Sequence, residues 1–546
     1  MVLALSFAVI NLVFLLFCWH IIGVQADESL NIHGALRILR GERIYRDFWV
    51  YYTPGIFFLT AGAMALLGKS LFALRMTFIL SASLAVAVTY LLGRKFMGRT
   101  GAIVATCLFM CVGTNLWPVS VQHWYSTFTL IFSVFLIACF LENPAHRLSL
   151  TAGGVMAGVT FLIQQQKGGM LALLASGFLL IHGLAGEKGH RRWLAVGREG
   201  AIFAGGVAAP LVVALLYFSI AGTLGDAISA TIIFPLTHLP GDGGGGVMAL
   251  HGSLTRVTLA EIMRFFGPPH VARAVTAVVA FIINYGAPLS VPIAALWWVI
   301  SRLLRRNAPP AAILAFLAAL ICVASSLQRP DFHHLLSGAP PSYLAVGFLL
   351  KEIGTTDTGT LIKVRRAMSV LLISLLLLPV LCLAAAEFAY ASRVERYSLG
   401  SELGFVAMID PENGDLGIGS VIDYIRAHTE QGETIFVAYA SPFIYYLSGR
   451  ENPTRYPVLA MSPCVARGNV HLLDLTGGEF FDAQTRDAIA SLEAAATPLI
   501  VLDMAALCLV YDVEEPYLEE NLFARYLRDR FHPVMSSRGF IVMRRN

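Results

Sequence analysis

Long apolar segments recur along most of this chain of 546 residues. Each runs for roughly 16 to 25 residues, about the length that an α-helix needs to cross a hydrocarbon layer about 30 Å thick. Because 57% of the residues are hydrophobic and only 14% are charged, a soluble core could not enclose them all. The sequence therefore predicts an integral membrane protein with about eleven spans, near residues 3–23, 71–92, 101–117, 127–142, 148–163, 169–185, 200–221, 275–301, 310–326, 336–350 and 367–390.

Lysine and arginine in the connecting loops predict the orientation. One set of loops is short and rich in both, whereas the opposite set is longer and poorer, and cytoplasmic loops carry the excess. The N-terminus is thus predicted inside, and the first loop (24–70) and everything after about Tyr390 outside. The first apolar run lacks a basic n-region and a small-residue cleavage site, which favours a retained helix over a signal peptide. The net charge of +4 follows from this asymmetry and calls for no nucleic-acid partner.

Two domains are predicted, a polytopic α-helical transmembrane bundle over 1–390 and a soluble, extracytoplasmic α/β domain over 391–546. In the tail, ETIFVAY (433–439), PLIVLD (498–503) and FIVMRR (540–545) have the composition of buried strands, whereas IGSVIDYIRAHT (418–429) and DAQTRDAIASLEAA (482–495) have helical spacing. Cys464 and Cys508 also lie in the tail, where they are candidates for a disulfide in an oxidising compartment.

An acidic pair, Asp27-Glu28, follows the first apolar run. Carboxylates at the membrane surface are well placed to activate a hydroxyl beside a lipid-borne substrate, which makes an enzyme the leading hypothesis. The alternative is that both acids cap the following helix, since negative charge is favoured at a helix N-terminus. That helix has apolar Ile32, Leu36 and Leu39 between arginines, which predicts an amphipathic helix in the interface; a second interfacial helix is predicted in YYTPGIFFLTAGAMALLG.

The order of these segments resembles a known family. An acidic pair after the first helix, then GERIYRDF, TPGIFFL and LLGKSLFALR, is similar to the first-loop pattern of GT-C glycosyltransferases, especially bacterial members related to protein O-mannosyltransferases and the lipid A aminoarabinose transferase. The resemblance is strongest over residues 24 to 95, and YYLSGRENPTRY (445–456) resembles the end of such proteins. It implies many membrane helices, an active site on the outer face and a polyprenyl-phosphate sugar donor.

The resemblance also implies roles for the acidic pair. Asp27 matches the residue that serves as general base or orients the acceptor, and Glu28 is its neighbour in the D-E form of the motif. The second outer loop, WPVSVQHWYST (117–127), lacks the acid that many relatives place there. His123 is the nearest polar candidate, so a mechanism with two carboxylates or a bridging metal loses support.

Six residues are candidates for binding substrate or donor phosphate. Asp47 positions the donor or, as the simpler alternative, pairs with a nearby arginine. His123 binds the donor sugar or is an interfacial histidine. Lys167 and Arg329 suit a lipid phosphate, because arginine offers a planar fork and lysine a point charge; the alternatives are snorkelling for the lysine and a local pair with Asp331 for the arginine. His333 and His334 adjoin Arg329.

The sequence thus predicts an inverting hexosyl- or pentosyltransferase of the bacterial plasma membrane. It would move a sugar from a polyprenyl-phosphate donor to a hydroxyl of a glycolipid, polysaccharide or protein, with Asp27 as general base. No metal-ligand spacing and no cofactor motif is present in the sequence, and the need for a divalent cation stays open. The alternatives are a transporter or flippase of lipid-linked glycans and a polymerase or ligase acting on them.

Overall fold

The computed structural model describes residues 1–19, 26–115, 117–186, 190–237, 309–326, 332–354, 418–438, 441–457, 464–465, 479–503, 517–518, 522–537 and 540–546. The chain forms two compact units. Unit 1 comprises Met1–Trp19, Phe78–Tyr217 and Asp242–Ser392, and unit 2 comprises His20–Thr77, Phe218–Gly241 and Arg393–Asn546. The boundary that the sequence predicts near residue 390 lies outside the described residues.

Helices dominate the described part of the chain up to residue 354. In chain order they are α1 (Val2–Cys18), α2 (Ala26–Leu39), α3 (Gly55–Leu67), α4 (Leu71–Leu108), α5 (Gln122–Glu142), α6 (Arg147–Ile163), α7 (Gln165–Gly186), α8 (His190–Ile220), α9 (Leu224–Ile228), α10 (Phe234–Thr237), α11 (Pro310–Ser326), α12 (Phe332–Gly338) and α13 (Pro340–Gly354). Single π-helical turns follow α4 and α9.

Four helices among the described residues are long and apolar enough to cross a membrane: Leu71–Cys111, Gln122–Glu142, Gln165–Leu184 and Trp193–Ile220. Shorter apolar helices include Val2–Phe17, Arg147–Ile163 and Pro310–Ser326. The predicted spans near 275–301 and 367–390 lie outside the described residues. The count of about eleven therefore stays a prediction.

One predicted span differs in detail from the structure. The segment 336–350, predicted as one span, contains the end of α12 and most of α13, because two prolines at 340–341 begin a new helix and cannot extend the previous one.

Within α4, Gly98 has a φ of +73°. A Cβ on Gly93 would lie 3.2 Å from that of Ala102, whereas a continuous helix would separate them by about 13 Å. The chain therefore reverses at Gly98, between the two predicted spans 71–92 and 101–117.

Small residues let the helices of unit 1 approach closely. A Cβ on Gly154 of α6 would lie 2.4 Å from the carbonyl oxygen of Phe203 in α8, and one on Gly158 would lie 2.4 Å from that of Val207. Backbones in such contact are typical of membrane helices, which associate through packing rather than through exclusion of water. This packing supports the assignment of these helices to a membrane bundle.

Unit 2 contains a mixed four-stranded sheet, formed in spatial order by β1 (Ile435–Ala438), β3 (Leu499–Asp503), β6 (Phe540–Arg545) and β5 (Phe531–Ser537). β1 and β3 are parallel, and the other two pairs are antiparallel. The described elements of the tail are α14 (Ile418–His428), β1 (Ile435–Ala438), α15 (Phe443–Ser448), β2 (Cys464–Val465), α16 (Glu479–Ala494), β3 (Leu499–Asp503), β4 (Tyr517–Leu518), α17 (Leu522–Arg530), β5 (Phe531–Ser537) and β6 (Phe540–Arg545). The three segments predicted as strands contain β1, β3 and β6.

Alternating side chains of the sheet fill two hydrophobic clusters. One face packs with α16 and α17, through residues such as Phe436, Ile500 and Phe523. The other face belongs to a cluster that includes α14, α15 and also Ile32 of α2 and Met64 of α3. Helices α2 and α3 thus share a hydrophobic core with the sheet of the tail, within unit 2.

Candidate functional site

The acidic pair lies in the first turn of α2, and its two members have different surroundings. Glu28 is fully buried. Its carboxylate accepts two hydrogen bonds from Arg75, at 3.0 Å from Nε and 2.7 Å from Nη2. Arg75 is only 1% exposed, so this is a buried, bidentate ion pair between α2 and the start of α4.

Asp27, in contrast, is half-buried. It lies next to Glu28 in the first helical turn, where the helix dipole favours a negative charge. An ionised carboxylate at such a position can accept a proton from a hydroxyl that approaches it. The structure thus contains a half-buried and a fully buried carboxylate side by side.

The first half of α2, which the sequence predicts as part of an amphipathic helix in the membrane interface, is enclosed by protein in the structure. Every residue from Glu28 to Ala35 is buried. The helix packs against α3 and α15, and a Cβ on Gly34 would lie 2.5 Å from the ring of Phe57. The pattern of Ile32, Leu36 and Leu39 marks the side that joins the sheet cluster, but the polar side faces protein rather than solvent.

This packing also buries a polar residue of α2, His33. It is 3% exposed, its ring lies 4.9 Å from that of Tyr445, and its Nε2 has no hydrogen-bond partner among the described residues. Burial, followed by the charges of Arg37 and Arg40, holds the pKa of His33 well below its ordinary value of 6.5. The imidazole is therefore neutral at physiological pH.

Asp47 is engaged locally in the turn that follows α2. Its carboxylate accepts a hydrogen bond from the backbone N–H of Arg43 at 2.7 Å and pairs with the guanidinium of Arg46 at 3.0 Å. Partial burial opposes ionisation, but these contacts hold the pKa of Asp47 below its ordinary value. The geometry matches the simpler alternative from the sequence, a structural ion pair.

The same turn contains strained backbone. Tyr45 has a φ of +75°, a conformation that residues with a side chain rarely adopt, and it is 1% exposed. Its N–H donates to the carbonyl of Phe48 at 2.8 Å, and its own carbonyl accepts from Nη2 of Arg455 at 2.8 Å. The backbone N–H of Trp49 in turn donates to the carbonyl of Arg455 at 2.7 Å. The segment 445–456 therefore fixes the turn between α2 and α3.

A second cluster of predicted residues lies in unit 1. Lys167, in the first turn of α7, is 1% exposed. Its Nζ donates to the carbonyl of His123 at 3.2 Å, to Oγ of Ser126 at 3.2 Å and to Oγ1 of Thr127 at 3.0 Å. All three acceptors are neutral oxygens of α5. No carboxylate contacts this ammonium among the described residues, so it does not snorkel and it lacks an anionic partner.

His123 and His334 complete this cluster. Their ring centroids lie 4.2 Å apart, with an angle of 61° between the ring planes. Thr127 links the same helices by donating to the carbonyl of Ser337 at 2.8 Å. His333 lies in α12, but its side chain is outside the described residues, as are Arg329, Asp331 and Cys508. The proposed roles of Arg329 and His333, and the disulfide between Cys464 and Cys508, stay predictions.

The structure thus places the predicted residues in two groups, each within its own unit. Unit 2 holds Asp27, Glu28 and Asp47, and unit 1 holds His123, Lys167 and His334. The described residues include no group of three or more metal-ligating side chains. Sequence reasoning missed Arg75 as a site residue, although an arginine inside an otherwise apolar helix signals that an anionic partner is required.

Comparisons with known proteins agree with this architecture. No protein-family model matches the chain, and no curated protein sequence matches it. Among solved structures, the archaeal oligosaccharyltransferase AglB from Archaeoglobus fulgidus, in complex with an inhibitory peptide and a dolichol-phosphate, matches with a TM-score of 0.51 at 14% identity, over 92% of this chain and 70% of that chain. Its apo form matches with a TM-score of 0.50 at 14% identity, over 92% and 69%.

A second similar structure is ArnT from Cupriavidus metallidurans bound to undecaprenyl phosphate, with a TM-score of 0.44 at 13% identity over 99% of this chain and 97% of that chain. Both proteins are GT-C superfamily members. The likeness to AglB and the apolar helices show that the chain is a multi-pass membrane protein with the GT-C fold. The fold that the first-loop resemblance implied is therefore confirmed.

Proposed function

We propose that the protein is an inverting glycosyltransferase that moves a sugar from a polyprenyl-phosphate donor to a hydroxyl acceptor on the outer face of a bacterial plasma membrane. The fold supports this reading because AglB, which shares it, is an oligosaccharyltransferase solved with a dolichol-phosphate. The observation that carries the proposal is the pairing of a half-buried Asp27 with a fully buried Glu28 in the first turn of α2.

The two carboxylates have different roles in this proposal. Arg75 neutralises Glu28 and binds both of its oxygens, so Glu28 is a positioning residue that anchors the start of α2. Asp27 is then held at a defined place with its charge retained. A hydroxyl is a poor nucleophile until a base removes its proton as it attacks the anomeric carbon, and Asp27 supplies that base.

Departure of the lipid phosphate calls for positive charge. Lys167 meets that need, because its buried ammonium has only neutral acceptors among the described residues and gains most from an anion. Binding requires Nζ to exchange one neutral oxygen for a phosphate oxygen. His123 and His334 lie beside it, and Arg329 and His333 are proposed to join the same phosphate site.

The remaining features of the proposal concern topology. The chain has about eleven spans, with the N-terminus inside and both the first loop and the α/β tail outside. This arrangement puts Asp27 on the side where acceptors of the cell envelope are available. The acceptor is a glycolipid, a polysaccharide or a protein, and the donor sugar is a hexose or pentose.

Deletion of the gene and complementation with Asp27→Asn tests the proposal. Glycolipids and glycoproteins of the deletion strain are compared by mass spectrometry with those of the parent, and one glycoform is expected to disappear. Wild-type protein restores it, whereas Asp27→Asn lowers its rate of formation about 100-fold or more, the usual contribution of a general base. Asn has nearly the same size and is tolerated at a helix start, so membrane levels of the variant should match.

Asp226 offers a matched control, because it also lies in the first turn of a helix, α9, and has no assigned role. Asp226→Asn is expected to restore the glycoform as wild type does. Restoration by Asp27→Asn at a near-normal rate would refute the role of general base. A deletion strain with unchanged glycolipids and glycoproteins would refute the transferase itself and favour one of the alternatives.

A further inference from the structure

An aromatic cluster lies in unit 2 immediately after the strained turn. Trp49, Tyr51 and Tyr52 come from the first outer loop, and Phe234 comes from α10. The ring of Phe234 lies 4.9 Å from that of Trp49 and 5.7 Å from that of Tyr51, and the two tyrosine rings lie 4.5 Å apart. We refer to these four residues as the aromatic platform.

The platform combines ring surface with hydroxyl groups. Trp49, Tyr51 and Tyr52 are each half-buried, whereas Phe234 is 5% exposed and forms the base on which two of them pack. The hydroxyl of Tyr51 donates to that of Tyr52 at 3.2 Å, so both oxygens lie at one edge of the rings. A tyrosine that shows both its ring and its hydroxyl can contact an apolar face and a polar edge of the same ligand.

The backbone beneath the platform is fixed before any ligand binds. Tyr45 is held at positive φ, its hydroxyl donates to the carbonyl of Tyr52 at 3.0 Å, and Arg455 binds the backbone on both sides of the turn. Backbone strain that the surrounding structure maintains is characteristic of ligand sites. Rings held in this way lose little entropy on binding, which favours recognition of a weakly interacting ligand.

A buried hydroxyl adjoins the platform along the chain. Thr53 is 5% exposed, and its Oγ1 has no hydrogen-bond partner among the described residues. A buried hydroxyl without a partner is unfavourable and indicates a group that a ligand or water satisfies. The platform thus offers aromatic faces and several hydroxyl groups, with no carboxylate or ammonium among its four residues.

We propose that the aromatic platform is a carbohydrate-binding site. A pyranose ring has a face of C–H groups, which packs on an aromatic ring, and a rim of hydroxyls, which hydrogen-bond to Tyr51, Tyr52 and Thr53. The saccharide belongs to the acceptor or to the donor of the transfer reaction, and this assignment of a source rests on the proposed function. Arg455 is a positioning residue for the site, because it holds the turn that presents the rings.

Intrinsic fluorescence of the full-length protein in lipid nanodiscs tests the site directly. The probes are the methyl glycosides of glucose, mannose, galactose and arabinose, with sorbitol as an acyclic polyol control. At least one glycoside is expected to give a saturable change that Trp49→Phe abolishes and that Tyr51→Ala shifts to about tenfold higher concentration. Trp193→Phe is the matched control, since Trp193 is an exposed tryptophan of unit 1, and it should leave the change intact.

Arg455→Lys is expected to keep part of the affinity and Arg455→Ala to lose it, with unchanged α-helical circular dichroism in both. If no glycoside gives a change that depends on Trp49, or if sorbitol gives the same change, the site is refuted and the rings form an ordinary interfacial belt. Once the missing glycoform has identified the sugar and its acceptor, transfer by Tyr51→Ala is measured in vitro with the purified acceptor and the matching polyprenyl-phosphate sugar. Loss that excess acceptor rescues assigns the saccharide to the acceptor, and loss that excess donor rescues assigns it to the donor.

The outcomes separate this inference from the proposed function. Asp27→Asn is expected to keep the Trp49-dependent change while it loses transfer. Sugar binding at Trp49 in a protein that transfers no sugar would refute the transferase and leave the site standing. Transfer without any Trp49-dependent binding would refute the site alone.

Discussion

The buried pair of Glu28 and Arg75 makes a quantitative prediction about what holds the start of α2 in place. The two side chains are 0% and 1% exposed and share two hydrogen bonds, at 3.0 and 2.7 Å. Removing one partner of such a pair leaves a buried charge without compensation, which costs about 3 to 5 kcal/mol. Arg75→Met should therefore destabilise the folded protein by that amount. Glu28→Gln should do the same, because it removes the negative charge that compensates the buried guanidinium of Arg75.

A double-mutant cycle separates this pair from simple loss of packing. Once Glu28→Gln and Arg75→Met are combined, neither charge remains, so the double variant should recover about 2 kcal/mol or more relative to the sum of the single variants. Arg75→Lys keeps the charge but cannot bind both oxygens at once, so its loss should be smaller than that of Arg75→Met. The midpoint of denaturant unfolding in nanodiscs, followed by circular dichroism, gives the stability of the wild type and of each variant.

The cycle also tests whether Glu28 positions α2 while Asp27 acts as the general base. If Glu28 positions α2, Arg75→Met should lower transfer together with stability, and the double variant should regain stability and part of the activity. Additive single effects, with a coupling below about 0.5 kcal/mol, would show that the pair is energetically unimportant. Wild-type stability with complete loss of transfer in Glu28→Gln would contradict the positioning role and make Glu28 a catalytic residue.

Two further predictions concern a buried histidine, His33, and a buried lysine, Lys167. Because burial, then Arg37 and Arg40, lower the pKa of His33 in the folded state, the unfolded chain binds more protons below pH 6.5, and stability should fall as the pH drops from 6.5, by at most about 1.4 kcal/mol per pH unit. His33→Phe should flatten that part of the profile of unfolding midpoint against pH, and an unchanged profile would contradict it. Lys167→Met removes a buried charge whose described partners are all neutral, so unfolding stability should be kept or raised while KM for the polyprenyl-phosphate donor rises at least about tenfold. A strongly destabilised Lys167→Met with normal KM would instead mark the lysine as a structural tie between α5 and α7.

Local pattern explains which parts of the fold could be predicted from the sequence. The strands β1, β3 and β6 and the helices α14 and α16 lie where hydrophobic periodicity places them, because burial on two faces or on one stripe leaves a signature within a few residues. The span predicted over 336–350 included two prolines whose effect on a helix is also local. The prediction of a single span followed the apolar run and did not apply the rule that proline ends a preceding helix.

Long-range packing explains what could not be predicted. The side chain of Arg37 donates to the carbonyl of Thr454, about 400 residues away, and the turn at Tyr45 depends on Arg455. Periodicity in α2 showed a polar side, but it did not reveal that protein covers that side. The partner of Glu28 was equally hidden, because the sequence shows that Arg75 needs an anion without showing which one.

Two adjacent carboxylates can serve one reaction only if their surroundings keep them different. A general base has to be accessible to the acceptor and ionised, and its position has to be fixed within a fraction of an ångström. A half-buried aspartate in a first helical turn suits the first two conditions, because it keeps part of its surface in contact with solvent and the helix dipole favours its charge, but the ends of helices fray. The Glu28–Arg75 pair removes that freedom by tying the first turn of α2 to α4 from the buried side. Exposure of Asp27 and burial of Glu28 are therefore two requirements of one proposed mechanism, and an acidic pair meets both within a single turn.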